Sequence, residues 1–501
     1  MTAPQSPLRI AFDPYGWSRD RDLLVAAAEL MGILCLDIHI GSPMPDLSLA
    51  REIARFCETR GWEFMLNVEN VPIGWDMPPA MIRDAAEGGK CLGVVFDECD
   101  HRQINTHWEY DRSIDSHLSG KHYFAETEGM TLAQAYEAVL ENASQRSRTY
   151  RAAGVPWIVS EHLFPAMMHV LARAGFAVAP KVLKETQSAV MLACAAGAAK
   201  QYDTELMVDV DEWWHPQLFG HPMKRYASAL RLAYWMGPSV VYSEGGRFYQ
   251  KGWRGAELTD QGKLLRDFAT KYVPKHPRPF TFRDLKPTTV IIHFDDTCFD
   301  NRQLVLTEFP CPMYGHVPVT QTNTEWLYVW NLLSHGYVRT DSLTHTWETK
   351  LPCQRILFTP LNNVAVYDHL AGERELAHAQ FIFLTGILIS SQTYQAVMRR
   401  VREGATCVTP TRLLPPEAGT VKNGSITVIP DGKGTWVIPA EFYQLHYECW
   451  RNGPAEKTLR VALDGCLGPE DEWRYRFGEY EVIARMLDND PDMLDFSLTR
   501  V

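Results

Sequence analysis

Two apolar stretches of this chain finish on acids. Glu205–Asp211 (ELMVDVD) places Asp209 and Asp211 on one face, and Ser239–Glu244 (SVVYSE) ends on Glu244. A buried strand has no structural use for terminal carboxylates, because desolvating them is costly unless they are paired or put to work. Side chains alternate across a strand, so residues two apart share a face. By that parity Asp37 goes with His39 in ILCLDIHI, and Asn67 with Glu69 in EFMLNVEN. Asp13, Glu98 and Glu161 add acids near the ends of three further apolar runs. A single acid at such a place is equally well a helix N-cap, which suits Asp13 and Asp97. Glutamate caps poorly, so Glu98 and Glu244 point more strongly to chemistry.

Paired carboxyl groups in unlike environments are the equipment of glycosidic-bond cleavage, one as acid and the other as base or nucleophile. On that basis Glu98, in FDECDH, is the first candidate for proton donor. Asp211, Glu244 and Asp209 are candidates for the second carboxylate. Asp37, His39, His101, His162 and His215 are candidates to bind substrate hydroxyls, with Glu69 and Glu161 in reserve. A lone histidine is as readily a hydrogen-bonded structural residue. Tyr15, Trp17, Trp213 and Trp214 offer faces for pyranose rings, together with Trp75, Trp108, Tyr249 and Trp253. Trp213 and Trp214 would also serve as core packing.

These residues can meet only if their strands are arranged side by side. The hydrophobic pattern predicts strands at 8–13, 33–40, 63–70, 91–97, 156–163, 176–183, 205–211 and 239–244. Helical periodicity separates them, with Gly32 and Gly61 as helix ends and Thr131 as an N-cap. Eight alternations in about 270 residues fit a (β/α)8 barrel, whose active sites lie at the C-terminal ends of the strands. A doubly wound open sheet shares the alternation; the number eight favours closure. The barrel is expected over residues 1–275. The basic, proline-bearing segment KHPRPFTFRDLK then marks a boundary. A flavodoxin- or Rossmann-like α/β domain is expected over 286–412, a small β-rich domain over 413–501, and a polar tail from Asp488.

Bulk properties narrow the partners. The 501-residue chain carries a formal net charge of −12, the wrong sign for a nucleic-acid surface or an anionic membrane. No apolar run is long enough to span a bilayer, and no signal peptide is evident at the N-terminus. The 11 cysteines are scattered singly, which fits reduced thiols in a cytoplasm-like compartment. No GxGxxG, P-loop or GxSxG motif occurs, so neither a nucleotide cofactor nor a serine esterase elbow is expected. No cofactor or resident metal is expected.

In domain order the chain resembles the multidomain barrel glycoside hydrolases of the family-42 β-galactosidase type. Phe381–Pro410, FIFLTGILISSQTYQAVMRRVREGATCVTP, is similar to the strand–helix–strand unit of that family's middle domain, with Gly404 at the turn. The resemblance implies a carbohydrate substrate, homo-oligomers formed through the middle domain, and Glu98 as proton donor. It departs in the barrel: Asp97 stands where the family has asparagine before the donor, and strand seven offers Asp209, Asp211 and the off-parity Glu212 in place of a glutamate nucleophile. Two rivals remain open. Asp37, His39, Glu69, Glu98, Asp209 and Asp211 could ligate Mg²⁺ or Mn²⁺ in a sugar isomerase or metal-dependent hydrolase. A non-catalytic carbohydrate-binding barrel is the other.

Overall fold

A computed structural model describes residues 8–14, 17, 20–40, 48–68, 77–104, 124–183, 187–212, 221–294, 296–298, 311–315, 317, 322–338, 357–418, 421, 425–452 and 457–501. The chain divides into two compact units. The first is Met1–Thr186, Tyr202–Thr281 and Tyr314–Val317; the second is Gln187–Gln201, Phe282–Met313 and Pro318–Val501.

The first unit is a closed parallel barrel of eight strands in sequence order. They are β1 (Arg9–Phe12), β2 (Cys35–His39), β3 (Glu63–Asn67), β4 (Cys91–Phe96), β5 (Trp157–His162), β6 (Ala177–Leu183), β7 (Met207–Asp211) and β8 (Val240–Ser243). β1 closes the ring on β8, from Arg9 beside Val240 to Phe12 beside Ser243. Each strand falls inside the apolar run that predicted it. The helix ends follow their signals too. Gly32 and Gly61 adopt left-handed φ of 68° and 69° and end Arg21–Met31 and Leu49–Arg60. Thr131 and Gln134 exchange side-chain and backbone hydrogen bonds as a capping box on Leu132–Ala152.

The lumen is filled from below by small and apolar side chains, among them Ala11, Cys35, Met65, Val95, Val159, Ala179, Met207 and Tyr242. Two residues further along the same strands, on the same face, stand Asp13, Asp37, Asn67, Asp97, Glu161, Lys181, Asp209 and Glu244. One layer of each strand is therefore largely apolar, and the next is polar or ionisable. Where β4 meets β5 the backbones come close: a side-chain carbon at Gly93 would lie 2.9 Å from the Trp157 carbonyl oxygen.

Beyond β8 the chain makes a hairpin that the hydrophobic pattern did not announce, β9 (Tyr249–Gly252) and β10 (Gly255–Leu258). Helix Asp260–Asp267 follows and runs into a π-turn at Phe268–Tyr272.

The second unit holds β11 (Thr289–His293), a two-residue ladder of β12 (Thr297–Cys298) with β13 (Cys311–Pro312), then β14 (Val364–Tyr367), β15 (Phe381–Thr385), β16 (Thr406–Val408), β17 (Thr427–Asp431) and β18 (Gly434–Ile438). Its main sheet has the order β14-β11-β15-β16-β18-β17, parallel except for β17. Its five parallel strands follow the 2-1-3-4-5 order of one class of doubly wound sheet. Helix Ser188–Gln201 is buried on every face and counts with this unit, where the Gln201 amide donates to Asp368 Oδ1 at 2.6 Å. That burial explains its run of alanines.

Two expectations change here. β17 and β18 form a hairpin within the segment expected to be a separate small β-rich domain, but β18 pairs in parallel with β16 and extends the α/β sheet. The boundary expected at residue 413 therefore precedes two strands of the same sheet. The polar tail expected from Asp488 is instead β21 (Asp490–Arg500), which joins β19 (Glu472–Phe477) and β20 (Tyr480–Leu487) in an antiparallel sheet. Leu494, Phe496 and Leu498 carry the period of two that the acidic composition masks. Among the described residues no helix is long and apolar enough to cross a membrane.

Candidate active site

At the C-terminal mouth of the barrel one ammonium gathers six carboxyl groups. Lys181 Nζ lies 3.0 Å from Glu161 Oε2, 3.1 Å from Asp97 Oδ1, 3.2 Å from Asp211 Oδ2, 3.5 Å from Asp209 Oδ2 and 3.9 Å from Glu98 Oε1. It also contacts Glu244 Oε1 directly. His39 bridges the opposite side, with Nδ1 3.3 Å from Asp13 Oδ1 and Nε2 3.2 Å from Glu244 Oε2.

The groups fall into two tiers. Asp37, Glu161, Asp209, Asp211 and Lys181 form the more deeply buried, lower tier. In the upper tier Glu98 and His39 keep 15 % and 14 % of their side-chain surface exposed, and Asp13, Asp97 and Glu244 a few per cent each. Of these groups Glu98 and His39 are the most open to solvent.

Burial raises two carboxyl groups of the lower tier, Asp37 and Glu161. Asp37 is pushed up to about 7, chiefly by desolvation and against the pull of His39; Asn67 donates to its Oδ2 at 3.3 Å. Desolvation also raises Glu161 well above the carboxylate range, with Lys181 opposing and Asp97 reinforcing. Burial works against the Lys181 charge, but Asp211, Asp97, Glu161 and Asp209 more than reverse that and hold its pKa well above the usual lysine value. Tyr242 is likewise raised by burial and stays a donor, giving its hydrogen bond to Glu161 Oε1. Unlike neighbours have thus pushed adjacent groups toward different charge states, which is what acid–base chemistry requires.

Glu98 reaches the mouth by an unusual route. Parity puts Asp97 on the lumen face of β4 and Glu98 on the other. Glu98 adopts a left-handed φ of 44°, which turns the chain and brings its carboxyl back toward Lys181. For a residue other than glycine that backbone carries strain, a feature that clusters at functional sites.

The candidates from sequence are placed as follows. Glu98, Asp209, Asp211, Glu244, Asp37, His39 and Glu161 meet at this mouth. His162 does not. Its ring lies on the far face of β5, with Nδ1 3.4 Å from Asp100 and Nε2 2.8 Å from Ser160 Oγ. Asp100 in turn accepts from the backbone N–H groups of Leu163 and Phe164, so the pair braces the exit of β5. Trp17 is not in the mouth either. Its indole donates to Glu52 Oε1 at 3.0 Å and packs edge-on against Phe56, both on helix Leu49–Arg60. Glu212 is off parity; burial pushes it up to about 8, and Gln261 donates to it at 2.7 Å. Tyr15, Glu69, Trp213, Trp214 and His215 lie outside the described residues, as do Trp75, Trp108 and the side chain of His101. Asp97 and Tyr242 are residues that sequence reasoning gave no site role; Asp13 and Lys181 stand at strand ends in the sequence but were assigned no task there. The same two-residue parity finds each of them.

No protein-family model matches the chain, and no curated protein matches it either. Several solved structures are similar in shape. An exo-β-1,4-mannosidase from Opitutaceae bacterium strain TAV5 aligns over 91 % of this chain and 95 % of its own at 10 % identity, with a TM-score of 0.47. An endo-1,4-β-D-mannanase from Thermotoga petrophila RKU-1 covers 53 % and 99 % at 11 % identity and 0.29. An HpcH/HpaI aldolase from Desulfitobacterium hafniense DCB-2 covers 55 % and 95 % at 9 % identity and 0.28. None of the three is a family-42 β-galactosidase. The barrel itself rests on the strand pairing above.

Proposed function

We propose that this chain is a glycoside hydrolase whose acid and nucleophile are Glu98 and Glu244. The observation that carries this is their shared contact with the Lys181 ammonium at the solvent-facing tier of the barrel mouth. Glu244 touches Lys181 through one oxygen and His39 through the other, so an ammonium and an imidazole attend the group that must attack in its ionised form. Glu98 has the longest of the six contacts to Lys181 and the more exposed side chain, as suits a group that must hand its proton to a leaving oxygen. Asp209 and Asp211, candidates for the second carboxylate on sequence grounds, are positioning residues in this scheme: they lie in the buried tier and hold Lys181.

Two carboxyl groups that reach one ammonium are close together. Retaining enzymes place theirs about 5–5.5 Å apart, and inverting enzymes leave roughly 6.5–9.5 Å for a water. The proposal is therefore double displacement through a glycosyl–Glu244 ester, with Glu98 acting first as acid and then as base. A panel of aryl β-glycosides, with the product anomer followed by proton NMR, tests it. Hydrolysis of none, or an inverted first-formed anomer, would count against the scheme. Association of copies through the middle α/β region belongs to the same proposal and is checked by sedimentation of the full chain.

A metal-dependent barrel is the second reading. Asp37, His39 and Glu244, then Asp97, Glu161 and Glu244, then Asp209, Asp211 and Glu244, each bring three ligand atoms within 4.8 Å of one another. The residues of the last two sets already surround the Lys181 ammonium. A divalent ion there would have to displace it.

A further inference from the structure

We infer that Glu212 is a positioning residue for the nucleophile Glu244, gripping the backbone at and just beyond it; this rests on the hydrolase reading of the mouth. Glu212 follows Asp211 at the end of β7, off the parity that faces the lumen, and is 1 % exposed. A buried carboxyl is costly unless it is put to work. This one is not among the six that meet Lys181. Its hydrogen bonds go instead to the segment that carries Glu244. The Glu212 backbone N–H donates to the Glu244 carbonyl at 2.9 Å, one residue past the end of β8. Glu212 Oε2 accepts from the Gln261 amide at 2.7 Å, and Gln261 Oε1 accepts from the backbone N–H of Arg247 at 2.9 Å. Glu212 Oε1 is buried without a hydrogen-bond partner among the described residues, so Gln261 is the anchor of that side chain.

Gln261 is a firm mount. It lies in the first turn of helix Asp260–Asp267, whose N-cap Thr259 accepts from the Gly262 N–H at 3.2 Å. The Thr259 hydroxyl also donates to the Arg247 carbonyl, and its N–H to the Phe248 carbonyl at 3.1 Å. The helix approaches that segment so closely that a side-chain carbon at Gly262 would sit 1.9 Å from the Phe248 carbonyl oxygen. Residues 244 and 247 are therefore both tied to Glu212, one through its peptide and the other through Gln261. Lys181 and His39 hold the Glu244 carboxyl. Glu212 holds the backbone from which that carboxyl is aimed, and aim matters: a reacting group displaced by about 1 Å can lose roughly 100-fold in rate.

The test uses the full chain and its Glu212→Ala, Glu212→Gln and Gln261→Ala variants. Kinetics are read on aryl β-glycosides, and backbone amide hydrogen exchange on the peptide spanning residues 244–248. Glu212→Ala and Gln261→Ala should each lower kcat about 10- to 100-fold, the scale of a misaimed catalytic group. KM should stay within about twofold, since substrate binding is untouched. Glu212→Gln, which keeps an acceptor for Gln261, should retain most of the parent rate. The double alanine variant should be no slower than Glu212→Ala, because both changes cut one link. A KM that rises while kcat holds, additive losses in the double variant, or Glu212→Gln as slow as Glu212→Ala would overturn the proposal. Should Glu212→Ala fail to fold, Gln261→Ala and Glu212→Gln carry the same comparison. If the parent cleaves no glycoside, the hydrolase reading fails and exchange alone judges the clamp. Faster exchange over 244–248 in Gln261→Ala than in the parent supports it, and unchanged exchange overturns it.

Discussion

Lys181 and Glu161 meet at 3.0 Å from neighbouring strands of the barrel, an ammonium held charged beside a carboxyl held toward its protonated form. Tyr242 donates to the other Glu161 oxygen and completes the arrangement. The pair joins β5 to β6 below the substrate-facing tier, and five other carboxyl groups depend on the same cation. A lysine so placed acts less as an ion-pair partner than as the local countercharge that lets the barrel close around acids.

Lys181→Met should therefore damage folding as well as turnover. Removing one partner from a buried ion pair costs about 3–5 kcal/mol, and here the lost partner serves six groups. We expect a fall of that size in unfolding free energy from urea titration at pH 7, and partial recovery at pH 5 where carboxyl groups take up protons. A variant as stable as the parent at both pH values would show that Lys181 is not the countercharge.

Asp37 makes a separate claim about pH. Its pKa is about 7 in the folded chain against an ordinary 3.8. The folded state thus holds a proton that the unfolded state has released. The stabilisation is complete below about pH 4 and is lost as pH rises through 7. Asp37→Asn removes the titration. Relative to that variant, the parent should lose up to about 4 kcal/mol between pH 4 and pH 8. Glu212, raised to about 8, acts in the same direction on its own strand end. Urea midpoints measured across that range check the difference; parallel curves for parent and variant would rule it out.

Much of this site was legible because a barrel strand repeats every two residues. Met207, Asp209 and Asp211 share a face in sequence and in space, as do Cys35, Asp37 and His39. The same count, carried from Val95 and Ala179, leads to Asp97 and Lys181. Asp97 was obscured because an acid before a helix looks like a cap. Glu98 reaches the mouth only through a left-handed turn that no spacing rule announces. His162 and Trp17 have the right chemistry on the wrong face, where Asp100 and Glu52 engage them. In the second unit each strand of the β17–β18 hairpin was visible locally. The parallel pairing of β18 with β16 was not, since it depends on contacts far apart in sequence.

Glu98 and Glu244 should separate kinetically. Glu98→Gln removes the proton donor, so glycosides with poor leaving groups should slow about 10²–10⁴-fold, and activated aryl glycosides much less. Glu244→Gln should abolish turnover of both kinds while leaving sugar binding intact. Steady-state kinetics on a leaving-group series, with calorimetric binding as the control for folding, distinguishes the two. Wild-type rates in both variants would remove the assignment.

Chelation decides between the hydrolase and the metal-dependent barrel. Lys181 already contacts Asp97, Glu161, Glu244, Asp209 and Asp211, where a hard divalent ion would need the same oxygens. Its ammonium supplies one positive charge at the focus of the carboxyl groups and makes the second charge of Mg²⁺ or Mn²⁺ unnecessary for their closure. Prolonged dialysis against EDTA should accordingly leave both the unfolding midpoint and glycoside turnover unchanged, and added Mg²⁺ or Mn²⁺ should restore nothing. Loss of turnover on dialysis with recovery on adding one of these ions would transfer the chemistry to the metal, with Glu244, common to all three candidate sets, as the shared ligand.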